Sequence, residues 1–172
     1  MPLFGSVIMK QKKINKTNVM RLLDQAKIEY TAHTYADTDA ISGVEVAEVL
    51  GQDPARVFKT LVTVGAGKAP EHYVFMVPVA EELDLKKAAA AVGEKSIQMI
   101  KSKELLGLTG YIHGGCSPIG MKKQFPTTIH MTALDDSICP VIFFSAGKIG
   151  YQIECSPGDL AKMIPLKFAD II

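Results

Sequence analysis

Two apolar segments joined by a short glycine-containing turn constrain the fold of this 172-residue chain more than any other feature. Residues 57–64 and 73–79 are mostly apolar, and Gly65-Ala66-Gly67-Lys68 lies between them. Successive side chains of a β-strand point to opposite faces, so a strand that is apolar at consecutive positions belongs inside a sheet that is covered on both sides. The sequence therefore predicts a central, buried pair of strands.

Shorter periodic segments surround this pair. Helical spacing of apolar residues, with capping residues at the ends, predicts helices at residues 17–28, 44–50, 85–92 and 101–106, and a last helix that begins at Ser156-Pro157-Gly158-Asp159. Strands are predicted at residues 30–35, 141–144 and 150–155. In the last of these, Gln152 and Glu154 alternate with apolar residues, which predicts one solvent-facing side.

Helices and strands are mixed without a regular β–α–β alternation. The prediction is a single α+β domain over residues 15–172, with a mixed, partly barrel-like β-sheet surrounded by helices. Residues 1–14 are expected to form an N-terminal tail, because the periodic pattern begins only near Asn15.

Composition narrows the classes of function. A net charge of +1 excludes a protein that attracts nucleic acid through its overall field, and no apolar run is long enough for a membrane span. Three cysteines at irregular spacing, Cys116, Cys139 and Cys155, do not suit a disulfide framework and are typical of a reducing cytoplasm.

Lys59 is the single residue with the strongest functional signal. It lies in an apolar strand, where an unpaired ammonium is costly to bury. One interpretation is that its side chain reaches solvent at the strand end. The other is that it is held in a pocket as a cation for a phosphate or a developing oxyanion.

The segment Gly110–Gly120 contains four glycines and a proline, too many for a regular element. Within it, Gly114 and Gly115 allow the backbone to approach a ligand closely, as an oxyanion hole requires, although a simple tight turn explains them equally well. A Cys116 nucleophile paired with His113 and a zinc site built on the cysteines are weaker alternatives, because neither has a specific spacing. The position of Asp159 in the first turn of the last helix is sufficient to explain it as part of a helix cap.

Six segments, taken together in their order along the chain, resemble the YbaK/EbsC family of aminoacyl-tRNA deacylases, which is related to the insertion domain of bacterial prolyl-tRNA synthetases. They are Phe58-Lys-Thr-Leu61, Leu83-Asp-Leu-Lys-Lys-Ala88, Gly110-Tyr111, Gly114-Gly-Cys-Ser-Pro-Ile-Gly-Met-Lys-Lys123, Ser145-x-Gly-Lys148 and Pro157-Gly-Asp-Leu160. The resemblance spans about residues 17–171. Two departures concern the pocket. The family usually has an aromatic residue beside the glycine that enters its second helix, where this chain has Ile41-Ser42-Gly43, and Ala146 replaces a glycine.

The resemblance implies a cytoplasmic hydrolase that deacylates mischarged Cys-tRNA(Pro), with Cys-tRNA(Cys) as a second candidate substrate. It implies no cofactor, no metal and no membrane, and the acceptor end of tRNA and prolyl-tRNA synthetase as partners. The thiol of the attached cysteine would attack its own ester. A non-catalytic tRNA- or synthetase-binding module, and a deacylase for Ala or Ser, stay open.

The resemblance also implies roles for individual residues. Lys59, Gly114 and Gly115 take the catalytic positions of the family. The substrate-binding positions fall on Tyr35, Thr60, Ser117, Pro118 and Asp159.

Overall fold

The computed structural model describes residues 15–172, so the tail expected over residues 1–14 lies outside the described part. Five α-helices are formed within residues 15–172: α1 (Asn18–Gln25), α2 (Gly43–Val49), α3 (Leu85–Val92), α4 (Leu105–Thr109) and α5 (Pro157–Met163). Eight strands accompany them: β1 (Thr31–Thr34), β2 (Phe58–Gly65), β3 (His72–Pro78), β4 (Ile97–Met99), β5 (Thr127–His130), β6 (Ile142–Ser145), β7 (Tyr151–Cys155) and β8 (Leu166–Ala169).

Local capping explains where the helices begin. The Thr17 hydroxyl accepts a hydrogen bond from the Met20 amide at the start of α1. Ser42 and Glu45 form a reciprocal capping box at the start of α2, and Asp84 caps α3. These side chains satisfy amide groups that have no partner within the helix. The expected helices are confirmed, and the one expected at residues 101–106 is a 3₁₀ turn (Ser102–Glu104) followed by α4.

The strands form two sheets. The larger has the order β4-β2-β3-β5-β8, and the smaller has the order β1-β7-β6. The β2–β3 pair is antiparallel, whereas β5 runs parallel to both β3 and β8. Within residues 15–172, one isolated bridge, between Val57 and Phe143, connects the two sheets. The expected α+β architecture with mixed strand directions is confirmed, and the central pair is the predicted one.

The largest cluster of buried side chains fills the space between α1, both sheets and α5. It includes Leu23, Met76, Phe144 and Leu160, all of which are almost fully buried. Burial of this apolar surface is the main stabilising contribution to the fold. The cluster also supports the strand ends from which the candidate site is built.

The expectation of a solvent-facing side on β7 is wrong at Gln152. This side chain is only 3% exposed, because its amide forms two hydrogen bonds with Gln52 from the loop after α2. A polar side chain can be buried when its donors and acceptors are paired in this way. Glu154, on the same face, is partly buried and lies 2.7 Å from His33 Nε2.

Candidate active site

A cavity of about 320 Å³ opens between the start of α2, the first half of β2, the glycine-rich segment and the β6–β7 hairpin. Most of the surface that lines the cavity is apolar. The polar side chains in the lining are those of Tyr35, Ser42, Lys59, Thr60, His113, Cys116, Ser145, Tyr151 and Gln152. A mostly apolar cavity with a few converging polar groups is typical of a small-molecule or cofactor site.

Four of the eight residues assigned from the sequence line this cavity, namely Tyr35, Lys59, Thr60 and Gly114. They come from three distant parts of the chain, so the fold itself brings them together. Tyr35 is 6% exposed although it lines the cavity, so its ring is part of the wall. The Thr60 hydroxyl is buried and has no hydrogen-bond partner within residues 15–172.

The other four assigned residues lie outside the lining. Gly115, Ser117 and Pro118 are buried behind the cavity surface, where the Ser117 hydroxyl accepts a hydrogen bond from the Ile119 amide. Asp159 lies in the first turn of α5 and lines a separate surface depression. Its carboxylate is 3.1 Å from the Lys162 ammonium. That position favours an acidic residue because the amino end of a helix carries partial positive charge.

Lys59 lies near the start of β2, beside Val77 of β3. Its side chain is 30% exposed, and its ammonium lies 3.6 Å from the carboxylate of Glu82, which is 95% exposed. An ion pair with so exposed a partner is weak, because water screens the attraction. The lysine therefore keeps access to solvent and remains able to bind an anionic ligand at the cavity mouth.

The start of α2 lies against the end of β3. The Glu45 carboxylate accepts hydrogen bonds from the amides of Ile41 and Ser42, which fixes the turn that enters the helix. A Cβ on Gly43 would lie 2.4 Å from Cγ1 of Val79, so the glycine permits the close approach. Ile41 is held by this turn, and it remains 70% exposed at the mouth of the cavity.

The glycine-rich segment is fixed by its own contacts. The Gly115 amide donates to the Ile112 carbonyl, and Gly114 adopts φ +90°, a conformation that favours glycine. The Tyr111 hydroxyl donates to the Ile119 carbonyl at 2.5 Å. Because the Gly115 amide is already paired, it is not available as an oxyanion donor in this conformation.

The amides of Gly114 and Cys116, unlike that of Gly115, are unpaired among the described residues. Both residues line the cavity. Free backbone amides that point at a carbonyl oxygen can stabilise negative charge on it, so these two are the candidate oxyanion donors.

The structure does not favour the alternatives built on protein thiols. Cys116 lines the cavity, but burial raises the pKa of its thiol to about 12, so the thiolate that a nucleophile requires is scarce near neutral pH. Cys139 and Cys155 are also free and buried. Among residues 15–172, no group of three or more His, Cys, Asp or Glu side chains is close enough to hold a metal ion.

Sequence reasoning missed four polar side chains of the lining: Ser42, Ser145, Tyr151 and Gln152. Ser145 lies opposite Gln152 in the β6–β7 pair, and its hydroxyl accepts a hydrogen bond from the Gly147 amide. The Ser145-x-Gly-Lys148 pattern was a signal for the hairpin. No local signal marks Gln152, because its partner Gln52 lies 100 positions away.

Comparison with known proteins adds a family context. The profile of the family described as "Aminoacyl-tRNA editing domain" matches residues 37–163. The EbsC protein of Enterococcus faecalis, which carries the provisional assignment of a Cys-tRNA(Pro)/Cys-tRNA(Cys) deacylase, is 47% identical over 163 residues. That alignment covers 94% of this chain and 96% of the EbsC protein.

Solved structures agree on the fold. A protein provisionally described as a trans-editing enzyme for prolyl-tRNA synthetase has a TM-score of 0.76 and 23% identity, with coverage of 91% of this chain and 98% of that chain. A protein described only as hypothetical has a TM-score of 0.79 and 19% identity, with coverage of 90% and 99%. At these identities the structural similarity shows the fold alone.

Proposed function

This chain belongs to the aminoacyl-tRNA editing domain family, and we propose that it hydrolyses the ester of Cys-tRNA(Pro), with Cys-tRNA(Cys) as a second substrate. The observation that carries this proposal is the 47% identity to the EbsC protein across almost the whole of both chains. Prolyl-tRNA synthetase can attach cysteine by mistake because proline and cysteine are similar in size. A binding pocket discriminates between amino acids of such similar size by only about 1–3 kcal/mol, so a second enzyme that removes the wrong amino acid is useful.

The cavity supports this assignment through the distribution of its polar groups. Lys59 lies at the partly exposed mouth, where the nucleotide end of the substrate would carry its phosphate. Gly114 lies in the lining, where its backbone can approach the ester carbonyl closely. Tyr35 forms part of the wall beside them. We infer that the terminal adenosine binds at the mouth and the acyl group enters the cavity.

The nucleophile is proposed to be the thiol of the cysteinyl group itself. The Cys116 thiol, with a pKa of about 12, is poorly suited to attack. The substrate sulfur is already tethered to the carbonyl, and a well-oriented intramolecular attack can reach effective molarities of about 10⁵ M or more. The sulfur–carbon bond forms as the ester C–O bond breaks, the ribose oxygen leaves with a proton, and water then opens the cyclic thioester.

The protein's contribution is then positioning and charge stabilisation. The proposed oxyanion donors are the amides of Gly114 and Cys116, in place of the Gly115 amide, which is paired with Ile112. The Lys59 ammonium would anchor the terminal nucleotide. Groups that are fixed before the reaction stabilise the developing charge without the cost of reorienting them.

The compartment and the partner of the enzyme are further parts of the proposal. We infer action in the cytoplasm, which suits three free, buried cysteines. None of the helices formed by residues 15–172 has the length and apolar character needed to cross a bilayer. Association with prolyl-tRNA synthetase would deliver the mischarged tRNA directly, and co-purification of the two proteins with tRNA(Pro) tests it.

The decisive experiment compares three acyl groups on the same tRNA(Pro) under single-turnover conditions. Cysteinyl should be released rapidly and seryl more slowly, since a hydroxyl is a much weaker nucleophile than a thiol that partly ionises near neutral pH. S-methylcysteinyl has a similar volume but cannot attack, so it should resist cleavage. Equal rates for cysteinyl and S-methylcysteinyl would exclude thiol assistance, and no release from any of them would favour a non-catalytic binding module.

A further inference from the structure

A closed pair of glutamine side chains forms part of the inner end of the cavity. The Gln52 amide nitrogen donates to the Gln152 amide oxygen at 2.7 Å, and the Gln152 nitrogen donates back to the Gln52 oxygen at 2.9 Å. Gln152 lines the cavity and is 3% exposed, whereas Gln52 lies behind it, outside the lining. The reciprocal bonds fix the orientation of the Gln152 amide.

The pair leaves hydrogen-bonding capacity unused on Gln152. A primary amide has two N–H donors and an oxygen with two lone pairs, and the reciprocal bonds use one of each. The described residues supply no further partner for this amide. Because an unsatisfied polar group in a buried site is costly, a ligand that offers a complementary polar group gains affinity there.

Burial within the cavity indicates which end of the substrate reaches Gln152. The mouth carries exposed side chains, including Ile41 at 70% and Val44 at 49%. The inner end carries Phe144 at 1% and Gln152 at 3%. A nucleotide attached to a large tRNA must stay at the mouth, so the acyl group meets the inner end.

The charge of the lining indicates which acyl substituent is recognised. An aminoacyl ester carries an α-amino group, which donates hydrogen bonds. None of the described lining residues is Asp or Glu, so no carboxylate is present to accept them. The free lone pair of the Gln152 amide oxygen is a buried acceptor of fixed orientation, and it can bind an amino group without placing an unpaired negative charge in the cavity.

We propose that Gln152 is a specificity-determining residue that accepts a hydrogen bond from the α-amino group of the substrate, with Gln52 as its positioning residue. This inference rests on the proposed deacylase function. It explains why a strand position that alternation assigns to solvent carries a buried amide. It also implies that the enzyme distinguishes aminoacyl esters from acyl esters that have a thiol but no amine.

The test uses two substrates that differ only in this group: tRNA(Pro) acylated with cysteine and tRNA(Pro) acylated with 3-mercaptopropionate. Wild type should prefer the cysteinyl ester in kcat/KM. Gln152→Met, which keeps the volume but removes the acceptor, should lower kcat/KM for the cysteinyl ester by about tenfold or more and leave the desamino ester within about twofold. Gln152→Glu retains an acceptor and should retain the preference for the amine.

Gln52→Met serves as the matched variant, because it releases the Gln152 amide without changing the lining. It should cause a smaller loss that is again confined to the cysteinyl ester. Equal losses for both substrates, or no preference in wild type, would overturn the inference while leaving the deacylase function intact. If wild type releases neither acyl group, the proposed function itself fails. Circular dichroism identifies variants that do not fold, and if Gln152→Met is among them, Gln52→Met and Gln152→Glu decide the question.

Discussion

The glycine-loop wall of the cavity, residues 110–120, is held by backbone contacts, whereas the helix wall, residues 41–46 and 57–61, ends in exposed side chains. In the first, a Cβ on Gly115 would lie 3.1 Å from the Ile149 backbone nitrogen. In the second, Ile41 is 70% exposed and Lys59 faces an ion-pair partner that is itself 95% exposed. The loop wall should therefore be sensitive to added volume, and the helix wall to the loss of chemical groups.

The difference suits the different roles proposed for the two walls, charge stabilisation for the loop wall and nucleotide binding for the helix wall. A carbonyl that develops negative charge needs donors whose positions do not change, and the loop wall has that rigidity through Tyr111 and the paired Gly115 amide. A nucleotide end that must enter and leave needs contacts that can re-form easily, and the helix wall has them at its rim.

The largest effect is expected from Gly115→Val. The new side chain would collide with the backbone at Ile149, and the loop would have to move. Such overpacking costs about 1–3 kcal/mol of stability, and a displacement of about 1 Å in the oxyanion donors can cost about 10²-fold in turnover. Thermal denaturation and single-turnover deacylation measure the two effects.

Gly67→Val is the matched control, because a Cβ there meets no atom within 4 Å. It should leave turnover near that of wild type. Wild-type turnover in a folded Gly115→Val protein would show that the loop is a simple turn with no part in the reaction.

The next effect tests the helix wall through Lys59→Ala. Turnover should fall by about 10²-fold, the scale of one lost electrostatic contact in a protected site. Stability should change by less than about 0.5 kcal/mol, because the side chain is partly exposed and its ion pair is weak. Single-turnover rates and denaturant midpoints should separate the two outcomes.

Glu82→Gln removes the partner of Lys59 but keeps the cation. Turnover in this variant should stay within about twofold of wild type, since exposed pairs contribute little. Near-normal turnover in a folded Lys59→Ala protein would remove the lysine from the site.

A smaller effect is expected from Tyr111→Phe in the loop wall. Burial raises the pKa of the Tyr111 hydroxyl to about 12, so it stays protonated and donates to the Ile119 carbonyl across the working pH range. Loss of this bond should cost about 1 kcal/mol of stability, while the phenyl ring keeps its packing. Turnover should fall severalfold, and unchanged kinetics with reduced stability would limit Tyr111 to a structural role.

The sequence predicted the elements whose signals are local. The caps at Thr17, Ser42 and Asp84 marked the starts of three helices, and continuous apolar runs identified β2 and β3. The strands β4, β5 and β8 were missed. They are three or four residues long, and their places are set by neighbours that are distant in the chain, such as Met99 beside Thr63.

The site residues, like the helices and strands, were predictable only where the signal is local in the sequence. Lys59 and Gly114 were found because a charge in an apolar strand and a glycine pair are unusual locally, and both residues line the cavity. The sequence could not show that the Gly115 amide is already paired, or that Asp159 lies at a separate depression. Nor could it show that Gln152 turns inward to meet Gln52, since that depends on two segments packing together.

Among the variants of the loop wall, the smallest change in turnover is expected from Cys116→Ser, which tests whether this wall supplies a nucleophile. Serine has nearly the same volume and is a far weaker nucleophile, so an enzyme that used Cys116 would lose almost all activity. The proposed substrate-thiol reaction instead requires turnover to stay within about threefold, provided that the backbone amide of residue 116 keeps its place.

The free energy of unfolding at alkaline pH gives an independent test of the protonation state of the Cys116 thiol. Burial raises the Cys116 pKa from 9.0 to about 12, so between these values the unfolded chain loses a proton that the folded chain retains. The stabilising contribution is therefore complete below pH 9 and declines as the pH rises toward 12, by at most about 1.4 kcal/mol per pH unit for one thiol. Cys116→Ser should make the decline between pH 9 and 10.5 shallower, with Cys155, whose pKa is also raised to about 12, contributing the remainder in both proteins. Urea denaturation across this pH range measures the difference. An identical decline in wild type and variant would mean that the Cys116 thiol ionises in the folded protein near its ordinary pKa, and that it must be reconsidered as a reactive group in the loop wall.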